Sequence, residues 1–206
     1  MTKIFNHPLI KDKLTRMRKV ETQSTKFRDN LKEITQLMAY EITKDFELEK
    51  IAIQTPISEA IGEKLKDKVV LVPILRAGLG MVDGLKELIP TASIGHIGLY
   101  RDEIEKKPKE YYCKMPKNIV GSNVILLDPM LATGESANIA IKKLKSYKPK
   151  SISFVCLVAA PEGLKFIEKE NNDINIYIGS LDKMINADGY IVPGLGDAGD
   201  RIFGTK

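Results

Sequence analysis

Three groups of residues in this chain have the types and spacing to handle a phosphorylated sugar. The first lies in Val124–Ser136, VILLDPMLATGES, where an apolar run ends in an acid, Asp128, and a short Thr/Gly turn leads into a helical stretch, Glu135 to Lys145. A helix start carries unpaired N–H groups and the positive end of the macrodipole, so it accepts a phosphate readily. Gly134 permits a turn with φ > 0, and the Thr133 and Ser136 hydroxyls add donors. Asp128, an acceptor at the strand end, is placed to hold sugar hydroxyls beside that phosphate. The second group is Arg76-Ala77-Gly78-Leu79-Gly80, which follows the buried run Val69–Leu75. A guanidinium forks well onto phosphate oxygens, and the two glycines let a backbone approach a ligand closely. The third is the glycine-rich end of the chain, GYIVPGLGDAGDRIFGTK. Its Tyr190, Ile191, Val192, Leu195, Ile202 and Phe203 argue for a packed loop rather than a frayed terminus. Such a loop presents its own N–H and C=O groups. The plain alternatives are a capped strand-to-helix turn for the first group and a snorkelling arginine for the second. The first is not a P-loop, because no GK[ST] follows its glycine.

These groups need strands and helices to carry them. Val69–Leu75, Ser93–Tyr100, Val124–Leu127, Ser151–Val158 and Ile174–Ile178 read as buried strands. A helix follows most of them, through Met81 and Leu88, from Glu135 to Lys145, and from Pro161 to about Glu170. Strands alternating with helices predict a parallel, right-handed α/β sheet, whose ligands bind at the carboxyl ends of the strands. Ahead of the sheet, Ile10 to Lys44 reads as helical, with Ser24 or Thr25 as a cap. Its stripe of Phe27, Leu31, Ile34, Leu37, Met38 and Ile42 suits a core or a subunit interface. Ile51 and Ile53 suggest a short edge strand, and Pro56 to Leu65 returns to helical spacing. AAPEG at 159–163 reads as a structural turn. Asp102 to Asn118 is polar, rich in lysine and broken by two prolines; segments of that length are typically functional or mobile.

At 206 residues the chain suits one domain, residues 1–206, with a substantial core. Hydrophobic content of 43% and charged content of 29% are those of a soluble globular protein. No apolar run approaches the roughly 20 residues of a membrane span, and MTKIFNHPLIKDKLTRMRK lacks the apolar centre of a signal peptide. The expected location is cytoplasmic. Cys113 and Cys156 support neither a disulfide framework nor a zinc site, and Cys156 reads as a small core residue. His7 and His96 are too few for a metal centre, and His96 reads as an ordinary strand residue. The net charge of +5 is spread through mixed runs such as KDFELEK, which argues for a solvated surface rather than a nucleic-acid face.

Asp128-Pro129-Met130-Leu131-Ala132-Thr133-Gly134 resembles the phosphoribosyl-pyrophosphate loop of the type I phosphoribosyltransferases, and of their uracil branch in particular. PILRAGLGM at Pro73–Met81, Tyr100–Arg101 and the segment from Gly189 to the end agree in order. The resemblance covers essentially the whole chain. It implies a central, mainly parallel sheet flanked by helices, an N-terminal helical segment, a protruding hairpin over 102–118 and a C-terminal hood loop. It implies transfer of a phosphoribosyl group from 5-phosphoribosyl 1-diphosphate to uracil, with Arg76, Arg101 and Asp128 in the catalytic roles. The donor would be bound by Arg76, Arg101, Asp128, Pro129, Met130, Leu131, Ala132, Thr133, Gly134, Glu135, Ser136 and Asp197. The base would meet Ile191, Gly196, Asp197 and Ala198, whose backbone offers a donor for O4 and an acceptor for N3–H. Cytosine presents the opposite pattern there.

The same resemblance implies Mg²⁺ carried mainly by the diphosphate and water, with no protein metal ligands. It also implies a homo-oligomer, a dimer or larger, and GTP as an allosteric activator. One departure stands out: Glu135 occupies a place where the uracil branch carries glycine. A carboxylate directed inward would weaken donor binding; one directed to solvent from the first helical turn favours the helix dipole. Two other functions fit the same fold, namely a nucleotide-dependent RNA-binding regulator and a transferase for a different base. The first needs a dedicated basic face, which the mixed charges do not provide. Against purine or orotate relatives stands the single acid at 128, followed by Pro129 and Met130.

Overall fold

The structure, a computed structural model, describes residues 1–102 and 108–205. The tip of the expected hairpin lies outside the described residues, as does the Arg101 side chain. The chain opens with a short strand, β1 (Thr2–Ile4), and two helices, α1 (Pro8–Arg18) and α2 (Ser24–Ile42). The stretch read as one helix thus breaks at residues 19–23. Gln23 is the cap residue of α2 and makes no side-chain capping bond, so neither Ser24 nor Thr25 caps it. Phe27, Leu31, Ile34, Met38 and Ile42 are buried, and the stripe faces the core.

An antiparallel hairpin follows, β2 (Leu48–Gln54) and β3 (Glu59–Leu65), in register from Leu48 opposite Leu65 to Gln54 opposite Glu59. This corrects the helix expected over Pro56–Leu65. The Thr55 hydroxyl accepts the N–H groups of Ile57 (3.2 Å) and Ser58 (3.0 Å), which closes a tight turn. Ile57 and Ile61, whose spacing suggested a helical face, are 94% and 69% exposed.

The sheet proper comprises β4 (Val69–Leu75), then α3 (Leu79–Leu88), β5 (Ser93–Ile94), β6 (His96–Arg101) and β7 (Pro108–Lys114). After these come β8 (Asn123–Leu127), β9 (Met130–Leu131), α4 (Glu135–Lys145), β10 (Ser151–Ala159), α5 (Pro161–Glu170) and β11 (Asn175–Leu181). The strand order is β1-β11-β10-β8-β4-β6-β7, with β5 beside β4 and β9 beside β10. The β6–β7 pair is antiparallel and forms the expected hairpin; the other pairings of this sheet are parallel.

Strand side chains alternate between two cores, as the pleat requires. Leu71, Ile125, Leu127, Val155 and Leu157 face α1, α2 and α3. Val70, Val72, Val124, Leu126, Phe154 and Cys156 face the opposite side, with α4 and α5. Each such buried side chain contributes roughly 1.5–3 kcal/mol. Cys156 is indeed a small buried core residue, and burial raises its thiol pKa further above the usual range, with the nearby Asp128 adding to the effect.

The tail is more ordered than its sequence suggests. It forms a small antiparallel pair, β12 (Met184–Ile185) with β13 (Ile191–Val192), and a short helix, α6 (Ala198–Phe203). Ile191, Leu195, Ala198 and Ile202 insert into the core beside α1 to α3. From β4 the chain runs outward to β6 and β7, then returns on the other side of β4 as β8. Strand order therefore reverses between β4 and β8, and sheets of this kind bind ligands in the crevice at the carboxyl ends of the strands at such a point.

Candidate active site

Both flanks of that crevice carry residues singled out from the sequence. Pro73 lies opposite Leu127, so the loops after β4 and β8 leave the sheet side by side. Arg76 begins the first loop, after a cis peptide bond to Leu75. Its side chain is 57% exposed, and its Nη2 lies 3.3 Å from Asp200 Oδ1 in α6. Gly78 is where the two loops meet. A Cβ at this position would come within 2.3 Å of the Leu127 carbonyl oxygen. Gly80 would meet the side chains of Leu31 and Ile202 instead. The glycines of this loop therefore serve the protein's own packing. Arg101 closes β6, the neighbour of β4 on its other side, so its backbone belongs to the same edge.

The loop after β8 divides into two halves. Its first half stays with the sheet: Pro129 O accepts the N–H groups of Leu157 and Val158, and Leu131 O accepts that of Ala160. Leu131 is buried. Asp128 is half-buried at the strand end, where its Oδ1 accepts the Met130 N–H at 3.2 Å. Burial pushes its carboxyl up to about 7, although the Met130 N–H pulls the other way. The second half, Ala132 to Ser136, is the turn into α4. Gly134 has φ of 85° and Asn138 N–H bonds back to its carbonyl, so α4 begins at Glu135 as expected. The N–H groups ahead of Asn138 precede the first bond of the helical ladder. Thr133 and Glu135 are exposed and Ser136 is half-buried.

The tail closes the third side. Asp197 is the N-cap of α6, its Oδ1 accepting the Asp200 N–H at 2.9 Å. A Cβ on Gly199 would lie 3.2 Å from that same Oδ1 and 3.7 Å from Arg76 Nη2. The start of α6 is thus packed against the arginine loop. Ile191 and Ala198 are buried beneath it, whereas Gly196 and Asp197 are exposed. A cleft of about 700 Å³ runs between the α1–α2 turn and this tail, lined in part by Gln23, Tyr190, Gly196 and Asp197. Arg76, Asp128 and Thr133 do not line it.

A family model described as uracil phosphoribosyltransferase matches residues 4–205. The chain belongs to the uracil phosphoribosyltransferase family. It is 73% identical over 206 residues to a uracil phosphoribosyltransferase of Malacoplasma penetrans and 66% identical over 207 residues to one of Ureaplasma urealyticum, covering 100% of each chain. Among solved structures, a protein from Aquifex aeolicus superposes with a TM-score of 0.94 at 39% identity, covering 98% of both chains. A hypoxanthine-guanine phosphoribosyltransferase from Bacillus anthracis shares the fold, with a TM-score of 0.51 at 20% identity over 75% of this chain and 78% of that one.

Sequence reasoning missed several residues that shape this uracil phosphoribosyltransferase fold around its crevice. Gly163, at the start of α5, presses against the phosphate-type turn: a Cβ there would come 2.0 Å from the Ala132 carbonyl oxygen. Arg201 donates to the carbonyls of Met17, Leu195 and Lys19 and stacks over Phe27, 4.6 Å from the ring centroid. Asp182 follows the buried strand β11 much as Asp128 follows β8, and that parallel was the available signal. Its carboxylate takes a bidentate fork from Arg18.

Proposed function

We propose that the three loops at the β4–β8 crevice divide the work of one phosphoribosyl transfer. The reaction moves the 5-phosphoribosyl group from 5-phosphoribosyl 1-diphosphate to N1 of uracil, giving UMP and diphosphate, as membership of this family entails. Uracil N1 attacks C1′ of the ribose while the C1′–O bond to diphosphate breaks, through a loose transition state with positive charge on the sugar, and the N1 proton passes to the departing diphosphate or to water. Arg76 and Arg101 hold the departing diphosphate. Asp128 accepts hydrogen bonds from the ribose hydroxyls, and Ala132 to Ser136 take the 5′-phosphate at the start of α4. Pro129, Met130 and Leu131 contact the donor through a backbone already anchored on β10. Ile191, Gly196, Asp197 and Ala198 meet the base, and Asp197 also reaches towards the donor. Positioning and charge stabilisation carry the rate, since no nucleophile or histidine base enters the scheme.

The observation that carries this reading is the convergence of the loops: the arginine loop touches β8 at Gly78 and α6 at Gly199. A donor lying across the crevice would meet its sugar acid, its phosphate turn and its diphosphate arginine in order. Mg²⁺ fits as an ion carried by the substrate. Among the described residues no group of three or more His, Cys, Asp or Glu is arranged to hold a metal alone, and Mg²⁺ is commonly held through phosphates and waters. Bound there it neutralises the leaving diphosphate. Asp128 is the acid that stands beside the sugar end of such a complex.

The same reading takes the chain as one domain acting as a homo-oligomer in the cytoplasm, with GTP as an activator and without a nucleic-acid or membrane partner. The exposed Ile53, Ile57 and Ile61 on the β2–β3 hairpin support self-association. No helix among the described residues is long and apolar enough to cross a membrane. Isothermal titration of 5-phosphoribosyl 1-diphosphate with Mg²⁺ into Arg76→Ala and Thr133→Ala tests the donor roles. Unchanged affinity in both would overturn them.

A further inference from the structure

Two arginines, one from α1 and one from α6, grip consecutive carbonyls of the tail. Arg18, the last residue of α1, donates through Nη1 to Gly194 O at 2.6 Å. Arg201 donates through Nη1 to Leu195 O at 2.9 Å. Arg18 is itself held by Asp182, with Nη1 on Oδ2 at 2.7 Å and Nη2 on Oδ1 at 2.5 Å. Asp182 Oδ2 also accepts the Gly194 N–H at 2.8 Å, and its Oδ1 accepts the Ser180 hydroxyl at 3.0 Å. One ion pair therefore takes both the N–H and the C=O of Gly194. The Asp182 side chain is only 2% exposed, and its own N–H donates to Ala159 O at the end of β10. The clamp is rooted in the sheet.

A backbone that reads a base through N–H and C=O groups has to be held still. At Gly194 and Gly196 themselves no side chain anchors the backbone, and they sit at φ of 60° and 78°, where side chains are disfavoured. We propose that the Arg18–Asp182 pair is a positioning device for base recognition. By fixing Gly194 it sets the register of Gly196 to Ala198, and so sets uracil affinity and the discrimination against cytosine, without touching either substrate. This rests on the base-reading role given to the tail. Burial alone would raise the Asp182 carboxyl, but the Arg18 fork, the Gly194 N–H and the Ser180 hydroxyl outweigh it and hold the group below its usual range. The pair is ionised at neutral pH, and losing one partner would leave the other charge uncompensated.

The test uses the full chain with Asp182→Asn, Arg18→Lys and the double variant. Steady-state kinetics give the uracil KM and the uracil-to-cytosine ratio of kcat/KM, while calorimetry gives the Kd of 5-phosphoribosyl 1-diphosphate with Mg²⁺. For Asp182→Asn the uracil KM should rise roughly tenfold to a hundredfold, the loss of bonds to charged groups. Its donor Kd should change several-fold less than the uracil KM, because only Asp197 of the displaced residues also reaches towards the donor. Arg18→Lys should recover part of the loss, and the double variant should be no worse than Asp182→Asn. If Asp182→Asn does not fold, Arg18→Lys carries the comparison. A lowered thermal midpoint with unchanged uracil KM would make the pair merely structural and overturn the proposal. A parallel loss of donor and uracil binding would overturn it too. Failure of the unsubstituted chain to turn over uracil would instead sink the base-reading role beneath it.

Discussion

Arg76 Nη2 and Asp200 Oδ1 stand 3.3 Å apart, so the guanidinium after β4 is paired with the first turn of the C-terminal helix. More than half of the arginine side chain is exposed, and such pairs are weak. On the proposed role of Arg76, a diphosphate accepting the guanidinium fork through two oxygens would displace it. Arg76→Ala should therefore weaken donor binding by roughly 10- to 150-fold, the range for lost bonds to a charged group. Arg76→Lys should fall between, because a point charge replaces the fork. Calorimetric titration of the donor measures both, and the uracil KM at saturating donor should hardly move.

Asp128 predicts a pH dependence of definite sign. Burial pushes its carboxyl from the ordinary 3.8 up to about 7. If Asp128 holds the ribose hydroxyls as proposed, its ionised form is the stronger acceptor and offers both oxygens, so kcat/KM for the donor should rise through about pH 7 and then level. In Asp128→Asn that limb should vanish together with most of the rate. Stability runs the other way. The folded chain holds this proton more tightly than the unfolded one, so its contribution is fully present below 3.8 and is lost as pH rises through about 7. Thermal unfolding of Asp128→Asn should lack that decline.

Gly163→Ala places a methyl group 2.0 Å from the Ala132 carbonyl oxygen, and one of the two segments must move. Overpacking of this kind costs about 1–3 kcal/mol. The thermal midpoint should fall and the donor KM should rise several-fold, with the uracil KM little affected. An unchanged donor KM would show that α5 yields rather than the turn.

Glu135→Gly restores the residue typical of the uracil branch. Glu135 is exposed on the first turn of α4, where its charge suits the helix dipole. The donor KM should change by less than about twofold, and stability should drop by roughly 0.5–1 kcal/mol from the glycine. A large fall in donor KM would mean that the carboxylate intrudes on the phosphate.

Much of this architecture was legible because its apolar residues face cores. Val69–Leu75 and Val124–Leu127 are buried on both faces, and such runs announce parallel strands. Helix α4 declared its start through Gly134 and its stripe through Ala137, Ile141 and Leu144, all three buried. The β2–β3 hairpin was misread for the converse reason. Ile57 and Ile61 are exposed, so their spacing recorded no buried face, while the turn chemistry at Thr55 was the true signal. Helix α6 has six residues, too few for a period to show. The Arg18–Asp182 clamp joins residues 164 positions apart, and only the fold brings them together.

The most direct measurement is diphosphate release from 5-phosphoribosyl 1-diphosphate and Mg²⁺, with uracil, cytosine, hypoxanthine or orotate offered separately. Release with uracil alone is the predicted result: backbone groups of the tail that read O4 and N3–H would find the opposite pattern on cytosine, whereas orotate shares that edge and would be excluded through its carboxylate beside N1. Comparable release with cytosine would contradict the backbone reading of the base, and no release with uracil would contradict the account as a whole.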